Sequence, residues 1–205
     1  MRLGGRLVVG IVLAAISTPG VLPGQDSTGA VLPPAGYGTL RQEDVALRLQ
    51  TTNLQIRIVP LDERVIRLLS PDTYESFYRV REAKVEQAAD VAQRYGMGET
   101  TLFLVTFFGL EDQARFSPEI VTIMSENRLF RPVEIFPLSP LWSGQTLNQR
   151  ETATAVYLFE DGIRLFAPFT VSYDGATTDA WEQHLHTLNR EQASAAARAA
   201  VDRRP

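Results

Sequence analysis

The segment "TTLFLVTFFGL", residues 100–110, is apolar almost throughout. A run this short, rich in phenylalanine, valine and threonine, predicts a strand covered on both faces, since a half-exposed strand would alternate. Such a strand needs a layer of side chains above and below it, so the chain must be organised around a sheet. Its neighbours agree. "DVALRLQ" (44–50) sets Val45, Leu47 and Leu49 against Ala46, Arg48 and Gln50, and "NLQIRIVP" (53–60) aligns Leu54, Ile56 and Ile58 on one face. "LDER" (61–64) reads as a tight turn and "VIRLL" (65–69) as the next strand. "EIVTIMS" (119–125), "TATAVYLFE" (152–160) and "PFTVSYDG" (168–175) extend the set. "RPVEIFPLSP" (131–140) is fenced by prolines, which lack the N–H a central strand must donate, and so belongs at a sheet edge.

Two helices interrupt the strands. Ser70-Pro71-Asp72 is a helix start, with Ser70 as N-cap and Pro71 in the first turn. Tyr74, Phe77, Tyr78, Arg81, Val85, Ala88, Ala89, Ala92 and Tyr95 then recur at helical spacing, and Gly96 sits where a terminating glycine belongs. This predicts a helix over 71–95 whose narrow, alanine-rich face packs beside a sheet. A second helix begins with Asp179 as N-cap and Glu182 three residues on, burying Trp181, Leu185 and Leu188. It is expected to run to about residue 198, frayed beyond Asn189, where large apolar side chains run out. The 205 residues, 44% hydrophobic, suit one sizeable core. The expected architecture is mainly β with two helices: an antiparallel β-sandwich over residues 41–189, with 190–205 a helical or frayed tail.

The order "TLFLVTFFGLE…EIVTIMSENRLFRPVEIFPLSP…LNQRETATAVYLFEDG…FTVSYDG" resembles the immunoglobulin-like (telokin-like) sandwich domains of secreted bacterial envelope proteins. Leu147 and Glu151 occupy the "L-x-x-x-E" lead into the next strand. The likeness spans residues 100–175 and departs from a plain sandwich at the helix 71–95. It carries no catalytic motif; what it implies is binding or scaffolding.

The N-terminus reads as an export signal. Arg2 and Arg6 form a positive region, Leu7 to Ile16 an apolar stretch, and Ser17, Thr18, Pro19 and Gly20 a small, turn-forming exit. Pro19 and Gly20 interrupt the stretch before it reaches the ~20 apolar residues of a spanning helix. Residues 1–24 are thus expected to be a cleaved signal peptide, with retention as an anchor the alternative. Residues 25–40, rich in proline and glycine, are expected to be a disordered lead-in. The expected location is extracytoplasmic, periplasmic or secreted. The formal charge of -4 argues against nucleic acid, whose binding rests on cationic contacts to phosphate. The absence of cysteine excludes disulfides, thiolate nucleophiles and iron–sulfur ligation.

Candidate chemistry is sparse. The only histidines, His184 and His186, are two residues apart on a predicted helix, whereas zinc pairs on helices use i, i+3 or i, i+4 spacing to share a face. No G-x-S-x-G elbow, phosphate-cradling loop or calcium loop is present. Glu111/Asp112 and Glu160/Asp161 are adjacent acids at strand ends, the ordinary place for solvated carboxylates. The expectation is therefore a non-enzyme with no catalytic residue, no metal and no cofactor. The alternative is a small-ligand binder or carboxylate-dependent hydrolase of the cell envelope.

One segment stands out. "LFRPVEIFPLSPLW" (129–142) concentrates prolines, phenylalanines and a tryptophan. These rings either turn inward to close the core or, with proline lowering the ordering penalty, present an apolar patch to a partner. Phe130, Phe136, Leu141 and Trp142 are the candidate patch. The expected role is an accessory protein that binds or scaffolds another envelope or membrane protein, including as an extrinsic subunit of a membrane complex.

Overall fold

A computed structural model describes residues 32–202; the expected signal peptide (1–24) and residues 25–31 lie outside the described residues. The described chain is mainly antiparallel β-sheet with three helices. Strands β1 (Leu47–Gln50), β2 (Leu54–Pro60), β3 (Thr100–Gly109), β7 (Pro132–Pro137) and β9 (Thr152–Glu160) form a five-stranded sheet in the order β1-β2-β3-β9-β7. A four-stranded sheet runs β11-β10-β5-β6, from β5 (Thr122–Ser125), β6 (Arg128–Phe130), β10 (Phe169–Tyr173) and β11 (Ala176–Thr178). β4 (Ala114–Arg115) and β8 (Thr146–Leu147) make a short ribbon.

β3 is the centre of the larger sheet, flanked by β2 and β9, but the expected cover on both faces is only partial, with Thr106 and Phe108 half-buried. On one face Phe103 and Phe107 meet the smaller sheet, Phe103 edge-on to Phe169 at 6.2 Å and Phe107 to Tyr173 at 5.4 Å. The opposite face is divided. Leu104, Val156 and Leu158 lie towards α2 (Pro71–Tyr95), which buries Phe77, Ala88, Val91 and Ala92; the other half of the face is uncovered. α2 keeps the expected bounds, and Gly96 ends it at φ 62°, a left-handed conformation glycine adopts without a Cβ clash. Ser70 stands at the N-cap, but its hydroxyl pairs with that of Thr73 at 2.9 Å.

Four expectations are corrected. "VIRLL" is not a strand. Asp62 caps a short helix, α1 (Glu63–Ile66), by accepting the Arg64 N–H at 2.8 Å, and Val65, Ile66, Leu68 and Leu69 are all fully buried. With four of its five residues fully buried, the segment shows no period that separates helix from strand. "EIVTIMS" begins with a single 3-10 turn, Pro118–Ile120, before β5. Of the expected lead-in, residues 32–40 are held: the Leu40 N–H donates to Leu68 and the Ser70 N–H to Leu40. Gly38 lies so close to Leu68 that a Cβ would sit 2.2 Å from its carbonyl carbon. Finally, the tail does not fray at Asn189. α3 runs from Trp181 to Asp202 and buries Leu188, Glu191, Ala195 and Ala199.

α3 holds its own start and the N-terminal segment together. Trp181 is fully buried, 5.0 Å from Phe169, and its indole N–H donates to the Leu165 carbonyl at 2.8 Å. At the helix entry the Thr178 hydroxyl accepts the Ala180 N–H, and Asp179 accepts the Glu182 N–H through its backbone carbonyl. Farther along, the Glu191 carboxylate accepts the backbone N–H and the hydroxyl of Thr39 at 2.8 and 2.9 Å and pairs with Arg198. Arg198 also donates to the Tyr37 carbonyl at 2.8 Å.

Candidate functional site

The proline-rich segment folds as an anchored loop. β7 pairs with β9 alone, so it is the open edge its prolines predict. The chain then leaves through Leu138 and Ser139, whose N–H groups both donate to the Thr154 carbonyl. A five-residue 3-10 helix, Pro140–Gly144, follows, and its N-terminal proline lacks the N–H that a first turn would leave unpaired. Gln145 closes it at φ 47°. This geometry turns Trp142 inward, where its ring lies 5.3 Å from Phe116, 5.8 Å from Phe107 and 6.0 Å from Tyr157.

The four candidate residues are therefore not one surface. Phe130 and Trp142 belong to the core, at 1% and 7% exposure. Phe136 is half-buried, with the Lys84 ammonium 6.0 Å above its ring. Leu141 is exposed, as is Leu138, which sequence reasoning did not single out; each is 41% exposed. The signal for Leu138 was available in its place between two exposed prolines, Pro137 and Pro140. What remains at the surface is a short apolar ledge at the open edge of the larger sheet, held in one conformation by a buried tryptophan.

A cleft of about 780 Å3 lies between α1, α2 and the start of β3. Val85, Ala89 and Met97 give it apolar wall, while Glu63, Arg64 and Arg81 give it polar floor. The floor is largely neutralised internally. Glu63 pairs with Arg67 and, at 3.7 Å, with Arg81; Asp62 pairs with Arg64 at 2.7 Å. The hydrogen bond to Asp62 raises the Arg64 pKa above its usual value, and that to Glu63 does the same for Arg67. These paired side chains shape the cleft.

The residues weighed for catalysis are dispersed. Glu111 and Asp112 are exposed, and Asp112 accepts the Gln149 N–H at 3.0 Å. Glu160 pairs with Arg128 at 2.9 Å, and neither it nor Asp161 lines the large cleft. His184 faces residues 44–46; burial lowers its pKa, against the opposing influence of Asp44 and backbone hydrogen bonds to Ala46 and Asp44. His186 is exposed on another face of α3. No cluster of three or more histidines and carboxylates suited to a metal occurs among the described residues. Glu151 accepts the Asn148 N–H at 2.8 Å, closing the turn that begins at buried Leu147. Buried Tyr157 and Tyr173 are both held well above the usual phenol range by desolvation. Their hydroxyls are engaged, Tyr157 donating to Pro118 and Tyr173 accepting from Ser117.

Set against protein-family models, curated proteins and solved structures, the chain matches none of them. Among the described residues, no helix is long and apolar enough to cross a membrane.

Proposed function

We propose that this chain is an extracytoplasmic, non-enzymatic accessory protein that binds another protein of the cell envelope. The observation that carries this reading is the ledge of Leu138 and Leu141, exposed on a loop that Trp142 locks into the core. Rigid apolar side chains at an interface lose little conformational freedom on binding, and a pre-formed apolar anchor is what a partner's pocket rewards. β7 beside it has unpaired backbone groups along one side, which a partner strand can extend. The extracytoplasmic location is supported by the signal-like pattern of residues 1–24. The finer fold reading, an immunoglobulin-like sandwich, is supported by the contacts of Phe103 with Phe169 and of Phe107 with Tyr173 across the two sheets.

The test is gentle extraction of the tagged protein from its own cell envelope, followed by native mass spectrometry. A stoichiometric partner is expected with the wild type, and its loss with Leu138→Ser/Leu141→Ser at unchanged melting temperature. A lone monomer or homodimer, or a partner retained by the double variant, would refute the reading. A second reading, small-ligand binding, is favoured by the cleft, whose volume falls within the ~300–1,000 Å3 typical of ligand sites. A thermal-shift screen in which Val85→Trp abolishes a hit would support it.

A further inference from the structure

The half of the large sheet that α2 leaves uncovered carries a set of side chains that stability alone does not explain. The strand register places Arg48, Arg57, Thr106 and Thr154 directly opposite one another in a single row across β1, β2, β3 and β9. The neighbouring row on the same face holds Gln50, Gln55, Phe108 and Thr152. Neither row contains an acid. Like charges directly opposite on adjacent strands destabilise a sheet. Yet neither Arg48 nor Arg57 makes a side-chain hydrogen bond or an ion pair among the described residues. Elsewhere Arg64, Arg67, Arg81, Arg128 and Arg198 each have a carboxylate, whereas Arg94, Arg115, Arg131, Arg150 and Arg190 have none among the described residues; what sets Arg48 and Arg57 apart is that they stand directly opposite each other. The two sheet arginines are left facing each other with ten N–H donors between them at about five per guanidinium.

The rows enclose a space. Arg48, Gln55, Arg57, Thr106, Phe108 and Thr152 line a cavity of about 200 Å3. At ~30 Å3 per water in the liquid, that is the room of about six or seven waters, the size of one small ring with its substituents. Arg57, Phe108 and Thr106 are half-buried, so their positions are restrained by the sheet. The Thr154 hydroxyl donates to that of Thr106 at 3.2 Å. That fixes the outer end of the row.

We propose that this face binds an acidic sugar, its carboxylate held between Arg48 and Arg57 and the carbon face of its ring lying on Phe108. Guanidinium forks match a planar carboxylate in two-point geometry and would convert the repulsion between the arginines into shared attraction to one anion. Gln55, Thr106 and Thr152 supply the mixed donors and acceptors that sugar hydroxyls require. A neutral sugar leaves the arginines unpaired, and a bare oxyanion leaves Phe108 unused. The site uses no residue of the Leu138–Leu141 ledge and stands apart from the partner-binding reading.

The test is calorimetric titration of the full chain with sodium glucuronate, glucose and sodium phosphate in parallel. Glucuronate is expected to bind and glucose not. Arg48→Gln and Arg57→Gln should each weaken glucuronate binding by about tenfold or more, the usual effect of removing a charge-assisted hydrogen bond. The same variants should melt no lower than the wild type, and up to about 2 °C higher, because the like-charge pair is relieved. Unfolding is thereby separated from loss of binding. Glucuronate failing to bind, binding no better than glucose, or binding to either arginine variant as tightly as to the wild type would overturn the site. Phosphate matching glucuronate, with Phe108→Ala having no effect on either, would overturn the assignment to a sugar.

Discussion

Replacing Trp142 by alanine separates a core residue from a surface anchor by at least about fourfold in the fall of the melting temperature. The indole is 7% exposed and meets three rings, those of Phe116, Phe107 and Tyr157, with centroids between 5.3 and 6.0 Å away. Truncating a buried tryptophan to alanine typically costs about 3–5 kcal/mol, the lost transfer energy plus the cavity left behind. Edge-on ring pairs add ~0.5–1.5 kcal/mol each beyond area, and two of the three contacts here are of that kind, which puts Trp142→Ala in the upper part of the range. For a unit of this size each kcal/mol lowers the melting temperature by ~2–4 °C, so the expected fall is about 8–20 °C. Thermal unfolding followed by near-ultraviolet circular dichroism reads it, and Trp181 remains as a reporter in the variant. Leu141→Ala, one residue away and exposed, should shift the midpoint by no more than about 2 °C. A Trp142→Ala midpoint within a few degrees of the wild type would refute the placement of the ring in the core. It would also return Trp142 to the surface patch.

Two further outcomes are expected. Glu191→Ala leaves the Thr39 amide and Arg198 without their carboxylate, and should destabilise by about 1–3 kcal/mol while speeding hydrogen exchange at Thr39 and Leu40; unchanged exchange would show that the contact holds nothing. His184, whose pKa burial lowers, binds fewer protons folded than unfolded, so stability should fall as pH drops through the unfolded value near ~6.5 and level off below the folded one. Melting temperatures of the wild type and His184→Gln between pH 5 and 8 would test this, since the variant should lose that part of the slope.

Where a residue's environment is one-sided, the sequence announces it. β1, β2 and β10 alternate because one face meets the core and the other does not, and α2 declares both its ends through Pro71 and Gly96. Legibility fails where burial is complete. Val65, Ile66, Leu68 and Leu69 are all fully buried around a half-buried Arg67, so "VIRLL" offers β-branched residues but little contrast between faces, and only Asp62 hints at a helix cap. The tail fails for a different reason: Ala195 and Ala199 bury a narrow face by close approach, and small side chains look like absence of a core in a sequence. The inward turn of Trp142 is set by Phe107 and Phe116, 35 and 26 positions away in the chain, and no local pattern encodes that. Arg48 and Arg57 look like ordinary outward residues until register brings them opposite each other.

The clasp of Glu191 and Arg198 on residues 37–39 has a consequence for when this protein can fold. Its bonds join positions 152 and 161 apart in sequence, from the first described turn to the last helix. Contacts so distant raise contact order and postpone closure. A nascent chain that stops before Glu191 can pair β1 with β2 and β2 with β3 and can dock Leu40 on Leu68 and Ser70, but it lacks the carboxylate and guanidinium that hold Thr39 and Tyr37. Emergence of α3, rather than of the sheet, is the event that closes the clasp, and a chain stalled or truncated near residue 190 should be more open to proteases at residues 37–39.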